Sequence, residues 1–235
     1  NSQLNTIKKF QEINKIKNTI FLIPKENYQE EINKAIKQTK IKKQKIYYYE
    51  SEPSKLTKQI EKITKYKQRK RNLSDEIKRL EESEDSNKDI KIEKLKKLDT
   101  LGKVKFDSVI IADFDESLKS VTTSLLYTDV SPNNIHFITL NQWFDESLLK
   151  EKSSQPLYFP SINKENYDEF INEYYKNFNE YPNQLSFLSY DLVGLVYYLV
   201  LQNNLIIDQK IFLRKNKFRG KIGIFEIKNN KINHR

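Results

Sequence analysis

At 235 residues the chain can bury one large core or two smaller ones, and its 14 Tyr and 13 Phe supply enough apolar surface to set aside a disordered chain. No Cys and only two His remove disulfides, thiol chemistry and Cys- or His-built metal sites, and no apolar run approaches the ~20 residues of a membrane-spanning helix. The formal net charge of +10 has two readings: an anionic partner such as nucleic acid or a membrane surface, or a Lys-, Asn- and Ile-rich composition that serves solubility.

The chain begins with Asn rather than Met, so a mature form or a fragment is expected. Leu4, Ile7, Phe10 and Ile13 recur every third residue and predict an amphipathic helix. TIFLI (Thr19 to Ile23) is a strand closed by Pro24, followed by a helix with Ile32, Ala35 and Ile36 on one face. A basic linker leads to a second strand, Ile46 to Tyr49. The central unit is FDSVIIADFDESLKSVTTSLLY, Phe106 to Tyr127. Its apolar run ends at Asp113, where a helix with Leu118, Val121 and Leu125 on one face begins at once. An uninterrupted apolar run predicts a strand covered on both faces, as in a parallel sheet. A further strand, Ile135 to Leu140, leads into a turn holding the only Trp, Trp143. The predicted class is α/β, with these four strands in one parallel sheet.

Pro53 to Leu101 interrupts the β-α rhythm. Leu56, Ile60 and Ile63 share a helical face; after a phase slip, Leu73, Ile77 and Leu80 share another; beyond the acidic stretch EESEDSNKD, Ile92, Leu95 and Leu98 continue the pattern. The expectation is a hairpin of two antiparallel helices standing off the sheet, joined near Glu84 to Asn87. Its first arm, Lys55 to Arg71, has eight Lys or Arg and one acid, Glu61. That arm reads either as a solvated face or as a docking surface built on Lys67, Arg69, Lys70 and Arg71. It lacks the interleaved aromatics that stack on nucleic acid bases, so no nucleic acid partner is expected. Downstream, LYFP is a short extended crossing, and helices follow at Glu165 to Phe178 and Leu185 to Gln202. The second is apolar nearly all round and is expected to be buried on most sides. FRGKIGIFEIKNNKINHR closes the chain as a hairpin turning at Asn229-Asn230.

The candidate chemistry lies in the turns after the strands. No Gly-rich phosphate loop is present among four Gly, and a Ser-His-Asp set would need His136 from inside a strand, so no catalytic residues, metal site or cofactor are assigned. Asp113, Asp115 and Glu116 fit capping of the following helix, with acid-base work or cation binding as alternatives. Tyr28, Asp113, Phe114, Asn141 and Trp143 follow strands directly and would share the carboxyl edge of the sheet as a ligand cleft with aromatic walls and a few polar groups. Trp143 could equally belong to the core.

Four stretches in order carry a resemblance to a known family: TIFLIPKENYQEEI, KLKKLDTLGKVKFDSVIIADFDESL, HFITLNQWFDESL and FRGKIGIFEIKNNKINHR. The chain resembles the type I periplasmic-binding-protein superfamily from its second lobe onward, and within it the alphaproteobacterial penicillin-binding-protein activator group. The resemblance implies a second lobe over residues 1–155 carrying the insertion at 53–101. Residues 156–204 would be helices returning to an incomplete first lobe, and 205–235 a crossing segment and closing hairpin. It implies a periplasmic location, with an outer-membrane lipoprotein as one form, and a first lobe ahead of Asn1. Amino-acid-binding relatives place a Tyr where Tyr28 stands and hold the ligand ammonium with an acid; Glu50, Glu52 and Asp113 compete for that place.

Two functions follow from the resemblance. One is a non-catalytic envelope regulator that activates a penicillin-binding protein, a peptidoglycan synthase, through protein contacts. The alternative is a solute-binding receptor of an ABC transporter for amino acids or similar small ligands.

Overall fold

The computed structural model describes residues 2–39, 41, 44–140, 150–212, 217–221, 223–228 and 231–234. The chain divides into two compact units, residues 3–160 and 161–235.

The first unit is built on five strands: β1 (Thr19–Pro24), β2 (Gln44–Tyr49), β3 (Ser108–Ile111), β4 (His136–Thr139) and the short β5 (Leu157–Tyr158). They pair in the order β2-β1-β3-β4-β5, every pair parallel, as expected for the first four. The LYFP segment adds the fifth. Side chains of a strand alternate between faces, so an apolar run feeds two cores at once. In β1, Ile20 and Leu22 pack on one side; in β3, Val109 and Ile111 join them, with Leu56 and Ile60 and with Leu118, Val121 and Leu125. Phe21, Ile23, Ile110 and Ala112 point the other way, against Leu4, Ile7 and Ile36. Helices α1 (Ser2–Ile13) and α2 (Gln29–Thr39) thus cover one face, while α3 (Pro53–Ile63) and α6 (Asp115–Tyr127) cover the other.

This arrangement corrects the reading of the insertion. Its first helix, α3, is the crossover that lies on the sheet and packs on α6, with Leu56 and Ile60 fully inside the core. The chain breaks at Thr64–Lys65, where Lys65 takes a left-handed φ of 54°. The hairpin is therefore α4 (Tyr66–Glu81) against α5 (Lys88–Lys96), three helices in the insertion rather than two. The turn between them spans the predicted acidic stretch. Leu73 and Leu80 of α4 and Ile92 of α5 are buried.

The second unit holds α7 (Lys164–Phe178), α8 (Gln184–Gln202), a short 3-10 turn (Gln209–Phe212) and an antiparallel sheet β6 (Lys217–Arg219), β7 (Ile224–Lys228), β8 (Lys231–His234). Asn163 caps α7, its side-chain oxygen accepting from the Asn166 N–H at 3.0 Å. Strands β7 and β8 pair antiparallel with Lys228 opposite Lys231, as the closing hairpin predicts; the turn itself lies outside the described residues. Phe187 stacks flat on Tyr167 at 4.9 Å and meets Phe170 at 4.3 Å. Gly220 runs so close to the buried Asp191 carboxylate that a Cβ there would lie 2.3 Å from it, and the Lys221 N–H donates to the same carboxylate at 2.8 Å. Helix α8 departs from expectation. Among the described residues of the helix the buried ones form a stripe at every fourth position, Phe187, Asp191, Leu195 and Leu199, and Leu192, Val193, Tyr197 and Leu201 are exposed. A helix apolar on all sides needs neighbours on all sides, and within its unit α8 has a core on one.

Candidate functional site

The strand order 2-1-3-4-5 sends the chain outward in one direction from β1 and in the other from β3. Between the carboxyl ends of those two strands lies the point where open α/β sheets hold their ligands. Tyr28 follows β1, Asp113 follows β3, and both reach this point. The Tyr28 hydroxyl donates to Asp113 Oδ1 at 3.4 Å, and the Tyr28 ring meets Phe114 edge-on, 6.0 Å between centroids. Phe114 is 41% exposed, whereas Asp113 is buried. Three of the five predicted cleft residues are thus brought together. Asn141 and Trp143 lie outside the described residues.

Tyr49 was missed by the sequence reading. It is the last residue of β2, is fully buried, and its hydroxyl donates to Asp113 Oδ2. Tyr49 ends the strand that pairs with β1, so its side chain stands at the same edge as Asp113, a neighbourhood that only the pairing reveals.

Two phenols and the backbone N–H of Phe114, which donates to Oδ1 at 2.9 Å, converge on one carboxylate. Burial pushes the Asp113 carboxyl above its usual range, while the three donors, led by Tyr49, pull it back. The phenols respond in turn. Burial, then the charge of Asp113 and of Glu26, pushes Tyr28 up to about 12; Tyr49 is raised too, first by burial and then by its bond to Asp113. Both phenols stay protonated donors at neutral pH.

The capping reading of Asp113 is corrected by this geometry. The N-cap of α6 is Phe114, with no side-chain cap, and Asp113 takes the N–H of its immediate neighbour rather than one inside the first turn. Asp115 and Glu116 do stand in the first turn, where the helix dipole favours them. Asp115 holds a left-handed φ of 47°, which the short polar side chain of Asp tolerates better than most. Of the other two acids that compete for the ammonium-binding place, Glu50 bonds Lys55 at 3.0 Å and faces Lys25 at 3.6 Å, and Glu52 bonds Lys55 at 3.1 Å. Those pairs are exposed. Asp113 alone of the three is buried at the switch point.

Arg69 does not share the outer face assigned to it with Lys67, Lys70 and Arg71. It is buried, and its guanidinium donates to the Thr64 carbonyl at 3.1 Å, Thr100 Oγ1 at 2.9 Å and the Thr128 carbonyl, with Asp129 at 3.9 Å. It pins the root of the hairpin to the end of α6. Lys67, Lys70 and Arg71 are exposed; Lys67 faces Glu61 at 3.8 Å and Lys70 lies over the Tyr66 ring at 5.0 Å.

Among the described residues no group of three His, Cys, Asp or Glu is placed to hold a metal ion, and no helix is long and apolar enough to cross a membrane.

No protein-family model matches the chain, and no curated protein matches it. Solved structures do. A solute-binding protein of an ABC transporter from Rhodopseudomonas palustris BisB5, solved with 3,4-dihydroxybenzoic acid, matches at a TM-score of 0.52 and 12% identity. An extracellular ligand-binding receptor from Desulfohalobium retbaense DSM5692 matches at a TM-score of 0.54 and 10% identity. They cover 99% and 97% of this chain, which spans 58% and 35% of their own lengths. The chain shares the periplasmic-binding-protein fold of these structures, as its sequence motifs implied.

Proposed function

We propose that the chain is a non-catalytic, ligand-binding protein of the envelope that takes a small molecule at the carboxyl edge of its parallel sheet, in the manner of a solute-binding receptor. The observation that carries this is the meeting of Tyr28, Tyr49, Phe114 and Asp113 at the switch point between β1 and β3. A carboxylate already holding three donors is a fixed anchor rather than a base or nucleophile. Beside it Phe114 offers an exposed aromatic wall, which Asn141 and Trp143, next in sequence after β4, would extend. The two solved structures are named for binding solutes or ligands, which supports this reading over enzymatic activity.

Calorimetric titration of the chain with amino acids and with small aromatic carboxylic acids tests the reading. A ligand that binds the wild type and is lost, at least about tenfold weaker, in Phe114→Ala supports the site; a stacked aromatic in a binding pocket is worth about 1 kcal/mol or more. Binding indifferent to Phe114→Ala places the ligand elsewhere.

A second reading, activation of a peptidoglycan synthase by contact, is favoured by one feature: the helical hairpin α4–α5, which carries exposed Lys67, Lys70 and Arg71 and forms no part of the sheet's covering layers. In that reading the protein sits in the periplasm, with lipoprotein anchoring as one form. A pull-down of synthases by wild type and by the triple charge reversal of these residues separates the two; equal recovery removes the contact.

A further inference from the structure

The charge of the hairpin is graded along its length. Its tip, Glu81 to Asp89, carries five of the acids, while cations gather where α4 starts and α5 ends. The root is one place in space, not only in sequence. The Leu101 N–H donates to the Arg69 carbonyl at 3.0 Å, Lys70 and Asp99 line one shallow groove, and Tyr66 meets Tyr127 of α6 at 5.6 Å. Around it Lys70, Arg71, Lys97 and Lys103 are exposed and form no salt bridge among the described residues. Within the same belt two apolar side chains face water, Leu98 at 48% and Tyr127 at 56% exposure.

We infer that the root of the hairpin rests on an anionic phospholipid surface, its lysines meeting lipid phosphates and Leu98 and Tyr127 entering the interface. This is independent of the ligand site. Three observations favour lipid over other anions. The belt is mostly Lys, whose flexible point charge suits a diffuse layer of phosphates, whereas planar bidentate recognition of single carboxylates favours Arg. Exposed Leu and Tyr among lysines match interfacial anchoring, with the Tyr hydroxyl at headgroup level. Nucleic acid binding would call for a series of exposed rings, and here Tyr66 is buried beneath Tyr127. Each lysine near such a surface strengthens binding about fivefold.

Co-sedimentation of the 235-residue chain with vesicles tests it, using phosphatidylcholine alone and an equal mixture of phosphatidylcholine and phosphatidylglycerol. The expected result is binding to the mixed vesicles only, weakened more than tenfold by K70Q/R71Q/K97Q. The separate pair L98S/Y127S should weaken it also and make the remainder more salt-sensitive. All these residues are exposed, and a matching circular dichroism melt verifies the fold of each variant. No binding to mixed vesicles, equal binding to both vesicle types, or unchanged binding by the triple variant overturns the proposal. So does retention on heparin or capture of a synthase that depends on these lysines while the vesicles bind nothing, since the belt would then serve a polyanion or a protein.

Discussion

The parallel sheet and helix α8 carry similar runs of Ile, Leu and Val, yet bury them to opposite extents. In β1 and β3 every residue from Ile20 to Ile23 and from Val109 to Ile111 is buried, because α1 and α2 cover one face and α3 and α6 the other. In α8 the buried residues, among those described, form a single stripe while Val193 is 69% exposed. Hydropathy sets what a residue gains from burial; a second packed layer decides whether the gain is realised. The exposed patch on α8 and the residues after it, Leu205, Ile206 and Ile207, is of the kind that marks an interaction surface.

The sharpest test of this contrast is Phe21→Ala. It opens a cavity in a closed core and is expected to cost about 3–5 kcal/mol, read from urea midpoints at constant m. A loss under 1 kcal/mol would mean that the sheet is covered no better than α8.

Tyr49→Phe comes next, because it breaks a polar contact inside the same core. Burial holds the Asp113 carboxyl above its ordinary value, so the native chain keeps that proton to higher pH than the unfolded chain does. The stability contributed by this group is present below the ordinary Asp range and is lost as pH rises through the raised native value. Removing the Tyr49 donor, which opposes the shift, widens that window. The expected loss is about 1–3 kcal/mol at pH 7 and distinctly less near pH 3, where Asp113 is protonated. A loss equal at both pH values would show that the hydroxyl does not act through the Asp113 charge.

Val193→Ser should be the mildest, within about 0.5 kcal/mol of wild type. If it costs as much as a core substitution, the outer face of α8 is covered in solution.

The strands were legible because their residues are apolar at consecutive positions and end in turn residues; Ile20 to Ile23 and Val109 to Ala112 admit few other readings. The partner of an amphipathic helix is less legible. Leu56 and Ile60 of α3 repeat with the same spacing as Leu73 and Ile77 of α4, and nothing in either stripe says that one meets a sheet and the other a second helix. The phase slip between them, at Thr64–Lys65, was the visible trace of the break. Arg69 was grouped with its charged neighbours, although it keeps register with Tyr66, Leu73 and Leu80, the buried side of α4. Register, not charge, identifies it as interior. At the site, Tyr28 and Asp113 were readable from their places after strands, whereas Tyr49 required the pairing of β2 with β1.

Helix α6 has its first residue beside Phe114 and its last beside Thr128, whose carbonyl Arg69 holds. Thirteen residues at 1.5 Å each make a rod about 20 Å long. The aromatic edge and the hairpin root are the two ends of that rod, and no loop intervenes between them. A sideways load on the hairpin would therefore act as on a lever arm, with α6 carrying it along a hydrogen-bonded backbone to the carboxylate at the far end.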